Sequence, residues 1–215
     1  MGKQTDELET GHERPMRADA RRNLDAVLQA AMKVFAESGI DAPMRAIAAE
    51  AGVGVGTLYR HFPQRSDMIK AIIQREVDAC VEAAATLREA HAPDEALGLW
   101  VQRLVDFVAT KRGLGPALHS GDPAYQSLPD YVEGQLTPAL QGLLDAAAST
   151  GAVRKDINAR ELLFACLRLA TPASHGDLAE ARRMVALLID GVRFGAGQPN
   201  PGSANVPPSP KVRTL

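Results

Sequence analysis

The residues with the most chemical content lie in one short stretch, residues 43–62, PMRAIAAEAGVGVGTLYRHF. Met44, Ile47 and Ala48 form the inner face of a helix of two turns. Ala51, Gly52 and Val53 then turn the chain, and Gly52 tolerates the positive φ that such a turn needs. A second short helix runs from about Val55 to His61. Small Ala48 lets the two helices cross closely, and Gly52 and Leu58 complete the spacing of a DNA-binding helix-turn-helix. At about 100° per residue, with Leu58 turned to the core, Phe62 shares its side. Gly56 and Arg60 then fall opposite, flanked by Thr57 and Tyr59. The fork of an arginine can bond O6 and N7 of guanine, so Arg60 is the best base reader. Gly56 would let the helix approach the groove floor, and the hydroxyls of Thr57 and Tyr59 suit phosphate or thymine contacts.

The elements that position this stretch are all helical by period. Leu24, Val27, Leu28, Ala31, Val34 and Phe35 make one stripe that ends at Ser38-Gly39. A long helix follows from about Ser66, with Ile69, Ile73, Val77, Cys80, Ala84 and Leu87 on one face. The next opens at Pro93-Asp94-Glu95 and carries Leu97, Trp100, Leu104, Phe107 and Val108. Residues 113–129 are broken by Gly and Pro and should hold only a short helix. Pro129 opens a further helix closed by Gly151. Asn158 and Glu161 form a capping-box-like start for one that runs to Leu169, and Asp177 starts the last. No segment alternates at period 2 for long enough to be a strand, so the expected fold is all-α. Residues 1–15 are polar without period and are expected to be an unstructured tail. A second such tail, residues 196–215, is rich in Pro and Gly and should stay extended.

Charge and composition exclude several classes. The 24 Lys+Arg and 26 Asp+Glu give a net charge of -2, which excludes a uniformly basic nucleic-acid coat but leaves room for a local patch. Residues 14–65 hold eight basic and five acidic side chains, a basic segment between an acidic N-terminus and a slightly acidic remainder. Cys80 and Cys166 have no neighbours at ligand spacing and read as small buried apolar residues. None of the five His sits three or four residues from another His, Cys or carboxylate in a recognisable metal motif such as HExxH, and there is no GxSxG or P-loop. The expectation is therefore no enzyme, no metal and no cofactor. No apolar run approaches the ~20 residues needed to span a bilayer, and the N-terminus lacks a signal-peptide core. A soluble, cytoplasmic protein without a membrane partner is expected.

The sequence resembles the TetR family of bacterial transcriptional regulators. The resemblance rests on Ile47, Ala48, Glu50, Ala51, Gly52 and Val53, then Gly56, Thr57, Leu58, Tyr59, Arg60, His61 and Phe62, then Asp67-Met68 opening a long helix. It is close over residues 20–70 and architectural beyond. It implies a helix-turn-helix three-helix DNA-binding domain over residues 16–65. It also implies a larger helical domain for ligand binding and dimerisation over residues 66–195. Ala42-Pro43 stands where the family usually caps the first short helix with Thr or Ser, and Val55 where it often has Lys, Arg or Ser. By resemblance His61 meets the DNA backbone, and Arg45 and Arg65 match phosphate-binding positions. Arg17, Arg21 and Arg22 could reach the adjacent backbone or minor groove. The implied partners are a near-palindromic double-stranded operator, a second copy of the chain and an unknown small-molecule effector. The homodimer would form through the last two helices, around 159–170 and 178–193. Trp100, Arg103, Leu104, Phe107, His119, Tyr125 and Phe164 are the candidate pocket residues. The implied function is a repressor released from its operator by its ligand. The alternative is a ligand-binding helical protein of the same fold with weak or lost operator binding.

Overall fold

Burial follows the stripes read from the sequence. Val27, Leu28, Ala31, Val34 and Phe35 are all buried along α1 (Thr10–Ser38). The computed structural model describes residues 10–110, 114–118, 120–171 and 177–193, the side chains of 10–22, 110 and 116 excepted. Among these residues the further elements are α2 (Met44–Glu50), α3 (Val55–His61), α4 (Arg65–Ala90), α5 (Pro93–Thr110), α6 (Gly115–Leu118), a 3-10 turn at Pro123–Tyr125, α7 (Leu128–Ser149), α8 (Ala159–Ala170) and α9 (Leu178–Arg193), with no strand. The protein is all-α, as its periodicity requires.

The first helix is longer than its apolar stripe. It begins at Thr10, inside the segment expected to be an unstructured tail. Extending an existing helix adds a hydrogen bond for each residue fixed, whereas starting one does not. Arg14, Met16, Arg17, Ala18 and Ala20 are good helix formers, so α1 continues N-terminal to its apolar stripe. Residues 1–9 and 196–215 lie outside the described residues.

The chain divides into two compact units, one of Met1–Val81 with Asp106–Leu136 and one of Glu82–Val105 with Thr137–Leu215. Sequence reasoning put a boundary at 65/66. There α4 begins, and it runs unbroken to Ala90 because its apolar face continues through Ile69, Ile73, Val77, Cys80 and Ala84, all buried.

In the first unit α1 packs on α2 and α2 on α3. Asp25 on α1 receives Arg75 of α4 twice, at 3.4 Å through its carboxylate and at 3.0 Å through its carbonyl. Tyr131 of α7 donates to the Asp78 carboxylate at 2.9 Å. In the second unit α8 packs on α9. Trp100, Leu104, Leu140, Leu163 and Val185 are buried there. Asn158 Oδ1 accepts the Glu161 amide at 3.1 Å, the cap expected for α8. Arg193 at the end of α9 donates from Nη2 to the Asp94 carbonyl at 2.9 Å. A Cβ on Gly98 would stand 3.2 Å from that same Nη2, so the missing side chain is what makes room for the arginine.

Candidate nucleic-acid interface

The turn between α2 and α3 is built by backbone hydrogen bonds. Gly52 takes φ 66°. Its amide bonds the Ala49 carbonyl at 3.2 Å while the Val53 amide reaches back to Ala48 at 3.0 Å. This is the Schellman pattern that ends a helix on a left-handed glycine. It leaves Gly54 extended, and α3 starts one residue later with Leu58 bonded to the Gly54 carbonyl at 3.1 Å. Neither short helix has a side-chain cap. Pro43 is the capping residue itself, extended at φ -67° and ψ 140°. Ala42 before it is buried, so its methyl joins the core where a Ser or Thr hydroxyl would need a partner.

On α3 only Leu58 is buried. Its burial, with Phe62 and Ile47 also buried in the same unit, contributes about 1.5–3 kcal/mol and sets the rotation of the helix. Val55, Gly56, Thr57, Tyr59, Arg60 and His61 are consequently all exposed. Arg45, the second residue of α2, is exposed as well. Arg21 lies on the backbone of α1, and its side chain is outside the described set. Lys33 and Glu50 tie α1 to α2 from outside at 2.7 Å, and the hydrogen bond and charge of Glu50 raise the lysine's pKa.

Arg65 also makes a contact within the fold. It is half-buried, and its Nη1 donates to the carbonyl of Ile40, in the loop between α1 and α2. The guanidinium is a strap across the first unit as well as a surface cation. The described residues singled out as pocket candidates are divided between the two units. Tyr125 sits in the 3-10 turn of the first unit. There burial and the Asp122 carboxylate raise its phenol while the Arg65 charge opposes them. Phe107 is buried in the same unit. Trp100 and Leu104 are buried in the second unit. Arg103 is half-buried beside them on α5, and its buried Nε has no hydrogen-bond partner. Phe164 is not among the residues α8 buries; the guanidinium of Arg160 lies over its ring at 4.9 Å. His119 lies outside the described residues. Sequence reasoning missed the Arg65 strap and the exposed Leu187 on α9, the latter one position from Leu188 in the expected seam.

Among the described residues no group of three or more His, Cys, Asp or Glu could hold a metal ion. No helix among them is long and apolar enough to cross a membrane.

Fold and turn together define a helix-turn-helix protein with a helical C-terminal domain. Residues 27–72 match the family model described as bacterial regulatory proteins, tetR family, and residues 92–194 that of the SbtR-like transcriptional regulator C-terminal domain. The crystal structure of the TetR transcriptional regulator SCO0520 from Streptomyces coelicolor is 38% identical, with a TM-score of 0.68 over 79% of this chain and 98% of that one. A TetR regulatory protein from Mycobacterium vanbaalenii is 36% identical, with a TM-score of 0.67 over 83% and 99%. An HTH-type transcriptional regulator of Staphylococcus aureus strain USA300 is 32% identical over 109 residues, 50% of this chain. The chain spans 59% of the length of that relative. The chain belongs to the TetR family.

Proposed function

We propose that this protein is a cytoplasmic transcriptional regulator that binds a near-palindromic DNA operator as a homodimer and is released by a small-molecule effector. In this reading residues 16–65 bind DNA, and residues 66–195 bind the effector and dimerise. The observation that carries it is α3, a seven-residue helix held by one buried side chain, with all the others exposed. A helix so placed can enter a major groove, where Arg60 reads guanine and Thr57 and Tyr59 meet phosphate or thymine. Arg45, His61 and the exposed part of Arg65 add backbone contacts, with Arg21 beside them on α1.

Two further features support the rest of the reading. α9 buries Ala181, Val185, Ile189 and Val192 yet leaves Met184 and Leu187 exposed, an apolar surface suited to a second copy. On α5 the unpartnered Nε of Arg103, three residues from buried Trp100, suits an effector that carries a hydrogen-bond acceptor.

Selection of binding duplexes from a random library, with a gel shift on the intergenic DNA beside the gene, tests the proposal. A two-fold symmetric enriched site, weakened by ligands that bind the body, is the expected result. A protein that binds ligands but enriches no sequence would be the alternative, a ligand-binding helical protein without an operator.

A further inference from the structure

We infer that the recognition helix reads thymine methyl groups through Val55 and Tyr59, so that half-site specificity comes from apolar contact as well as from Arg60. The inference rests on the operator-binding reading above.

The exposed surface of α3 falls into three pairs four residues apart: Val55 with Tyr59, Gly56 with Arg60, and Thr57 with His61. Residues at that spacing are neighbours on a helix. Val55 and Tyr59 are 41% and 49% exposed, and among the described residues of the first unit they are the large apolar side chains left in water. Both belong to one helix of seven residues, on one flank of its outer face.

Gly56 points the same way. Its φ is not positive, and a Cβ built there meets nothing within 4 Å. Neither the backbone nor the packing of the protein therefore needs a glycine, which within a helix is less stable than alanine. What the missing side chain provides is a flat surface beside Val55 and Tyr59 that another molecule can approach. The first two residues of α3, Val55 and Gly56, also carry no hydrogen-bonding side chain, and Gly54 makes no cap.

The N-terminal residues of a recognition helix are those that meet base edges. The C5-methyl of thymine is the apolar group a base pair presents in the major groove. The surface formed by the Val55 side chain, the Gly56 backbone and the Tyr59 ring matches that group. Cytosine carries only a hydrogen at that C5 position, so it gives this surface no methyl group to cover. A thymine next to the guanine read by Arg60 is the expected half-site core.

The test uses the full chain and the duplex enriched by selection. Each thymine of the half-site is replaced in turn by uracil, which lacks the methyl group but keeps every hydrogen-bonding group. At one or two positions affinity should fall about fourfold for each methyl group lost from the interface. Val55→Ala should show part of the loss already on thymine DNA and should distinguish uracil less than the unaltered protein does, because only the Tyr59 ring remains. Tyr59→Phe should still distinguish it, because the ring makes the contact. Binding of both variants to scrambled duplex and their circular dichroism control for folding. An enriched site at which no uracil weakens binding would overturn the inference and leave operator binding standing. Discrimination by Val55→Ala equal to that of the unaltered protein would do the same. Failure to enrich any sequence would instead overturn the operator reading, and the inference with it.

Discussion

Replacing Leu187 by glutamate probes the proposed dimer at a place where a single protomer has little to lose. Leu187 is 73% exposed, and Met184, almost one turn earlier, is 43% exposed. The same helix buries Ala181, Val185, Ile189 and Val192 within its own protomer. A helix that is apolar on two sides needs a second partner. Full burial of a leucine contributes about 1.5–3 kcal/mol, and most of that is still available to Leu187, so each copy should contribute about 1.5–2 kcal/mol. In a two-fold interface the same residue acts twice, so the substitution removes about 3–4 kcal/mol. Two carboxylates brought into an apolar seam weaken it further. The dimer dissociation constant should therefore rise by roughly a hundredfold to a thousandfold. Sedimentation equilibrium over a range of concentrations measures it, and circular dichroism should show the helix content unchanged. Leu188→Glu is the less clean perturbation, because Leu188 is half-buried and the change also disturbs the protomer. A soluble Leu187→Glu dimer with unaltered dissociation constant would show that α9 does not form the seam.

Arg65→Ala removes the bond to the Ile40 carbonyl, so it should lower stability by about 1–2 kcal/mol in denaturant titrations and weaken specific and scrambled duplexes alike. An unchanged unfolding midpoint would count against the strap. Arg60→Ala lies on an exposed face and should leave stability within about 0.5 kcal/mol, yet cost about 1–3 kcal/mol on the specific duplex. An unaltered ratio of specific to scrambled affinity in salt titrations would refute the orientation of α3. Leu58→Ala empties the one buried position of α3 and should destabilise the first unit by about 2–5 kcal/mol, seen as faster amide exchange in α2 and α3. Burial pushes the Cys166 thiol up to about 12 from an ordinary 9.0. The folded protein then keeps the proton where the unfolded chain loses it, so stability should fall as pH rises from about 9 toward 12. Cys166→Val should flatten that slope in denaturant midpoints measured at pH 8 and pH 10.

Much of the fold and of the proposed interface could be read along the chain because its causes are local. A period of 3.6 residues placed Val27, Leu28, Ala31, Val34 and Phe35 on one side of α1, and the same arithmetic placed Arg60 opposite Leu58. The glycine turn at Gly52 and the Asn158 cap depend on neighbours no more than five residues away. Helix extension is less local than it looks: α1 reaches back to Thr10 because a packed helix already exists for those residues to join.

What only the tertiary structure decided are the contacts of long or borderline side chains. An arginine such as Arg65 has enough reach to end in water, on a phosphate or on a carbonyl. Its choice of Ile40, 25 residues away, follows from where the α1–α2 loop lies against the start of α4. Arg193 reaches Asp94, 99 residues earlier, because Gly98 leaves the space. Tyr125 has the composition of a pocket residue, but the turn that carries it lies in the same unit as Arg65 and feels its charge. Period alone puts Leu187 and Leu188 on neighbouring positions of α9; the packing of α9 within the second unit leaves one exposed and the other half-buried. Periodicity fixes which residues share a face, and the packing of helices distant in sequence fixes what that face meets.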